Sequence, residues 1–343
     1  MANGRSWRGR LAVALAVASL VVACSPNPST SGSAGQSAGA SGGTDLTGGK
    51  ALSIYFVGVA APTGFHGYIA RAAEAAGQNL GVKVTYIYPD QAEVAKQVQK
   101  VQEALTAKPD GIIINAFGPD AAYADLVKQA NGQNIPVGSA AAAPPKSGPT
   151  KAQGDQFLFR VGSDEYAAGV LTGQKLIELG AKGRVLVGDQ QPADTTCTAR
   201  AQGEVDTLKA AGIEAEITQL TMDPGQQAES VTQYLRTHPD TSAATSICDV
   251  VDGFLTAKQQ ANRADLILTG YDIVSQTLQA IQDGRQAFTI DQQQYWRGYM
   301  PVLLMTHYLR YGLVEANYFL TGPTVVDKSN VDRVSKLVQA GFR

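Results

Sequence analysis

The chain has 343 residues, more than one hydrophobic core usually serves, so two compact bodies are expected. Its 28 basic and 30 acidic residues leave a net charge of −2 and are spread evenly, without the basic stripe of a nucleic-acid binder or the acidic block of a solvating tail. Charged residues make up only 17% of the chain, which suits close-packed α/β layers, and a mean hydropathy of −0.09 excludes a multispanning membrane protein.

The N-terminus sets the compartment. Arg5, Arg8 and Arg10 precede an apolar run over 11–22. That run is too short for a transmembrane helix, which takes ~20 residues, and fits a secretory signal peptide. Val21-Val22-Ala23-Cys24 follows, with the small residues and the cysteine of a bacterial lipobox. Residues 1–23 are read as a lipoprotein signal peptide. Cys24 is read as the lipidated mature N-terminus, anchored to the outer face of the cell membrane by several acyl chains, because one chain alone binds only marginally. Residues 24–49 are nearly all Ser, Gly, Ala, Thr, Pro and Asn. They bury too little surface to offset their ordering entropy, so a flexible tether is expected.

From Lys50 strands and helices alternate. Strands over 52–59 and 82–88 enclose a helix over 68–79, and a helix over 91–107 carries Val94, Val98, Val101 and Leu105 at helical spacing. Strand 111–115, helix 120–130 and strand 135–139 complete a first β-α run. After a Pro/Gly-rich stretch over 140–154, strand 157–162 opens a second run. It comprises helix 166–179, strand 184–188, helix 199–210, strand 213–220, helix 226–236, strand 243–248, helix 251–262 and strand 266–271. Helix 274–283, strand 287–290, a long helix over 296–311, strand 323–326 and a final short helix close the chain. The fold class expected is α/β: two doubly wound, Rossmann-like lobes with parallel sheets, and a ligand cleft beyond the carboxyl ends of the strands.

Chemistry is sparse. His66, His238 and His307 are far apart and none has metal-ligand spacing. There is no Gly-x-Ser-x-Gly elbow and no Gly-x-Gly-x-x-Gly turn at a strand end. No catalytic residue, metal or cofactor is expected, and the protein is not read as an enzyme.

The order of elements, with several local stretches, resembles the type I periplasmic binding proteins of the ribose/galactose sugar-binding family. The resemblance covers 50–328. It implies three crossings between lobes, with 50–161 plus 291–320 forming one lobe and 162–290 plus 321–343 the other. Thr63-Gly64-Phe65-His66 is similar to the aromatic turn after the family's first strand, with His66 replacing one ring. Ala199-Arg200-Ala201-Gln202-Gly203 matches the family's Arg-x-x-Gly, although Glu204 replaces an aromatic residue. Gly270-Tyr271-Asp272 matches the strand-end acid, and Asp291-Gln292 falls at the last crossing.

The ligand set implied is Phe65, His66, Arg200, Cys248, Asp249, Asp272, Asp291 and Gln292, and Arg200 would offer its guanidinium fork to adjacent ligand oxygens. Ser139-Ala140-Ala141-Ala142 lacks the family's charged pair after the fourth strand, and Cys248-Asp249 stands where an Asn-Asp pair is usual. Cys197 and Cys248 fall at neighbouring strand ends on the cleft side and, outside the cytoplasm, are expected to be disulfide-bonded. The implied ligand is a small neutral polyhydroxy compound, a sugar or polyol, bound by a monomer through hinge closure. Two roles fit: delivery to an ABC permease and its ATPase, or presentation of a sugar or autoinducer to a signalling receptor or kinase. A repressor with this fold would carry a DNA-binding head where the lipobox and tether stand, so no nucleic-acid partner is expected.

Overall fold

The computed structural model describes residues 45–144, 146–248 and 251–343. The signal peptide, Cys24, most of the tether and Asp249 lie outside the described residues. Among the described residues no helix is long and apolar enough to cross a membrane.

The first run forms β1 (Ser53–Val57), α1 (Gly64–Leu80), β2 (Lys83–Ile87), α2 (Val94–Thr106), β3 (Gly111–Ile114), α3 (Ala124–Gly132) and β4 (Val137–Ser139). A 3-10 turn over Asp120–Tyr123 leads into α3, so the helix expected from 120 starts one turn later. The four strands are parallel in the order β2-β1-β3-β4. Every residue of β3 is buried, as its Gly-Ile-Ile-Ile sequence requires of a strand covered on both faces.

Of the strand expected over 157–162, only β5 (Val161–Gly162) forms. Phe157 and Phe159 are buried as packing residues where the chain leaves the first sheet. The second run follows with α4 (Glu165–Glu178), β6 (Arg184–Asp189), α5 (Thr195–Ala210), β7 (Glu214–Gln219), α6 (Pro224–Thr237), β8 (Thr241–Ser246), α7 (Asp252–Gln260), β9 (Ile267–Tyr271), α8 (Ser275–Gln282) and β10 (Phe288–Asp291). Asp164, Asp194 and Asp223 cap α4, α5 and α6, each accepting a backbone N–H of the first turn.

The chain then returns as α9 (Gln294–Tyr311) to pack along α1, pairs β11 (Phe319–Leu320) in parallel with β5, and ends in β12 (Thr324–Asp327) and α10 (Val331–Gln339). The second sheet has the order β12-β10-β9-β8-β6-β7 and is parallel except for β12, which runs against β10. Two lobes result, each with its own cores, and the chain passes between them at β5, after β10 and after β11.

Two close helix approaches position the site. A Cβ on Gly169 would collide with the Arg200 carbonyl, and one on Gly203 with the Tyr166 carbonyl, so α4 and α5 touch backbone to backbone only because both positions are glycine. Gly298 does the same for α9 against the Ile69 carbonyl of α1.

Glu204 lies on α5, wholly buried, and accepts a hydrogen bond from Thr245 Oγ1 at 2.6 Å. Its Oε2 has no hydrogen-bond partner, and burial pushes the carboxyl pKa up to about 8. The unfolded chain loses this proton near pH 4.5, whereas the folded chain keeps it to about pH 8. Stability from this group is therefore full below pH 4.5 and falls as pH rises towards 8. Glu204→Gln should remove that decline, so its Tm relative to wild type climbs by several degrees between pH 5 and pH 8. A Tm difference that stays constant over this interval would contradict the assignment.

Candidate functional site

The carboxyl ends of both sheets face a cavity of about 310 Å³. From the first lobe it is lined by Val59, beyond β1, by Phe65 and His66 on α1, and by Asn115 just after β3. From the second come Gln191, Arg200, Cys248 and Asp272, while Gln292 enters from the crossing after β10. This is the place where doubly wound sheets bind ligands, because the loops there splay apart.

Arg200 is held by the α4–α5 contact. Its Nε donates to Glu165 Oε2 at 2.6 Å and its Nη1 to the Ile247 carbonyl at 3.0 Å, with the guanidinium over the Tyr271 ring. Ser163 donates to the other Glu165 oxygen. Asp272 follows β9 with φ 70, a left-handed conformation that a short polar side chain tolerates. Its Oδ1 accepts from Gln292 Nε2 at 2.7 Å. Burial raises the Asp272 carboxyl pKa, and nearby Arg200 opposes that rise.

A residue not foreseen from the sequence completes this set. Arg297, from the first turn of α9, donates to Gln292 Oε1 at 3.0 Å, to Asn115 Oδ1 at 3.3 Å and to the Ala140 carbonyl at 3.3 Å. None of these acceptors is a carboxylate. Its guanidinium reaches the segment where 139–142 carry no charged side chain, arriving from a helix instead of from the loop after β4.

His66 and Asn115 each leave a polar atom unmatched. His66 Nδ1 and Asn115 Nδ2 are buried without a hydrogen-bond partner. Burial, aided by the Arg297 charge, pushes the His66 pKa down to about 4, so the ring is neutral at physiological pH. It packs edge-on against Phe65, with centroids 5.3 Å apart.

The expected set is therefore brought together at Phe65, His66, Arg200, Cys248, Asp272 and Gln292. Asp291 is a correction. Successive side chains of an extended segment point to opposite sides, so with Gln292 turned into the cavity Asp291 is turned away. Its carboxylate is buried against Arg343, the Gln293 N–H and Thr324 Oγ1, and does not line the cavity. Asn115 was legible as the polar residue ending an otherwise apolar strand, and Arg297 as a cation on a helix face that is otherwise buried. Glu165 could be found only through its contact with Arg200.

A two-lobed α/β protein with a polar cavity at the junction of its lobes is a binding protein by architecture. Residues 54–312 match the periplasmic binding protein domain family, and the chain belongs to it. It is 27% identical over 260 residues to the xylose/arabinose-binding protein of Sulfolobus acidocaldarius, covering 72% of this chain and 60% of that protein, so less than two thirds of the relative is spanned. It is 26% identical over 254 residues to the ribose import binding protein of Escherichia coli, covering 72% of this chain and 80% of the relative. The carbohydrate transporter from Acidothermus cellulolyticus, solved in complex with myo-inositol, superposes with a TM-score of 0.73 at 26% identity, covering 86% of this chain and 100% of that one.

Cys197 of α5 and Cys248 beyond β8 are joined as a disulfide, with Cα atoms 5.7 Å apart and a sequence separation of 51. A closed loop of that length restricts the unfolded chain by about 2–4 kcal/mol. Reduction, or a Cys197→Ser/Cys248→Ser pair, should lower Tm by several degrees. A wild-type Tm indifferent to reductant would contradict a contribution from this bond.

Proposed function

We propose that this protein captures a small neutral sugar or cyclitol between its lobes and delivers it to an ABC permease and its ATPase, with no chemistry done on the ligand. The observation that carries the reading is the pair of unmatched buried polar atoms, His66 Nδ1 and Asn115 Nδ2, on two residues that line one cavity. A buried polar atom left without a partner costs roughly 1–3 kcal/mol, and ligand hydroxyls would satisfy both. Charge argues against an anionic ligand: Arg200 and Arg297 lie among Glu165, Asp272 and Asp194, so no cation is in excess before any ligand enters. The Phe65 ring offers a face for C–H groups, and the cavity is at the small end of ligand sites, which span roughly 300–1,000 Å³. The relatives named for xylose, arabinose and ribose, and the neighbour with bound myo-inositol, suit the same ligand class.

Ligand that touches both lobes favours the closed arrangement by its differential affinity. Lobe limits at 161/162, 290/291 and 320/321 go with this reading. So does a lipoprotein form in which residues 1–23 are removed, Cys24 is acylated and 24–49 tether a monomeric body to the outer face of the membrane. Asp249 remains a proposed ligand contact.

Thermal unfolding of the soluble body from Gly49, against pentoses, hexoses, cyclitols and amino acids, tests the ligand class. A ligand at about 1,000 times its Kd adds about 4 kcal/mol, a Tm rise near ten degrees at roughly 2–4 °C per kcal/mol. Arg297→Met and Asp272→Ala should abolish the shift while apo Tm reports folding. A shift with amino acids and none with sugars or cyclitols would overturn the reading.

A further inference from the structure

Beside the ligand cavity lies a second one of about 260 Å³, with Ala116 and Thr196 common to the walls of both. It is nearly as large as the first. Its first-lobe wall includes Ala141 and Ala142, from the stretch 139–142 in which the family resemblance leads one to expect a charged pair, with Ala143, Pro119, Asp120 and Arg160 beside them; opposite is the first turn of α5. Methyl groups stand where the resemblance implies a charged pair, and the chamber adjoins the cleft at Ala116 and Thr196.

The chemistry of this chamber defines what it can accept. Its charged residues are committed within the protein. Arg160 donates to Asp155 and to Asp120, each at 2.6 Å, and Glu165 is held by Arg200 and Ser163. No cation is left over for a phosphate or carboxylate. Alanine methyls on one side and the Thr195 and Thr196 hydroxyls on the other suit an uncharged ring with both C–H and hydroxyl edges.

We propose that the second chamber is a subsite for the substituent of a neutral glycoside. One ring occupies the first cavity, the glycosidic oxygen passes between Ala116 and Thr196, and a second ring lies against 141–143. This rests on the reading of the first cavity as a sugar or cyclitol site.

Calorimetric titration of matched pairs tests it: myo-inositol and galactinol, D-xylose and xylobiose, D-galactose and melibiose. For the ring that binds, the glycoside should bind at least tenfold tighter in the wild type. Ala142→Phe, which fills the chamber at a half-buried position, should erase that advantage and leave the single ring's Kd within about twofold. Ala142→Leu, a smaller change, should act the same way more weakly, and circular dichroism checks that both variants fold. Equal binding of ring and glycoside, or equal loss of both in Ala142→Phe, would overturn the subsite and leave the sugar site standing. If no member of any pair binds, the sugar site itself falls, and the subsite with it.

Discussion

Asp272, Gln292, Arg297 and Asn115 form one unbroken line of hydrogen bonds from the end of β9, through the crossing after β10, to the first turn of α9 and the end of β3. The line runs from one lobe to the other without a ligand. Glu165 and Arg200 form a second buried unit beside it on the second lobe. Removing one partner of the buried Glu165–Arg200 pair would cost about 3–5 kcal/mol, and Arg297, with no carboxylate partner, is held by three neutral acceptors. The floor of the cavity is therefore rigid, and what it leaves unmatched, on His66 and Asn115, is what a ligand can supply.

The rest of the fold serves to aim these groups. Parallel strands bring their loop ends to the junction of the lobes, but register alone would not place a guanidinium to within a hydrogen bond. Backbone contact does: Gly169 against the Arg200 carbonyl sets the separation of α4 and α5 and hence of Glu165 and Arg200. Gly298, next to Arg297, sets α9 against α1. The spacing from Arg200 to Gly203 has a direct physical cause, because the same turn of α5 must offer a long cation and a side-chain-free face. Cys197, one turn before Arg200, ties that turn to the loop carrying Cys248.

The alternation of strands and helices, and the two-lobed plan, could be read from periodicity and turn residues because strands such as β1 and β3 are short apolar runs and helices such as α2 are amphipathic. Irregular stretches were harder. Residues 157–160 look like a strand, yet they make only a single bridge to β4, at Ser139 and Arg160, while Phe157 and Phe159 bury themselves where the chain is leaving one sheet for the other. Within the site, the residues legible in advance were those in local motifs, such as Arg200 and Asp272. Arg297 was missed because its partners are 5, 157 and 182 residues away, and the one local signal, a cation on an otherwise buried helix face, does not say what it binds. The Asp291–Gln292 pair shows a finer limit: adjacent polar residues on extended chain cannot both face one cavity.

If the buried line of hydrogen bonds fixes the floor and ligand closes the lobes over it, occupancy must change the shape of the molecule. Small-angle X-ray scattering of the soluble body, with and without the sugar or cyclitol that binds it, measures this directly. The account predicts a smaller radius of gyration on saturation, and no change in the Asp272→Ala variant at the same ligand concentration. An unchanged radius in a fully saturated wild-type sample would contradict it.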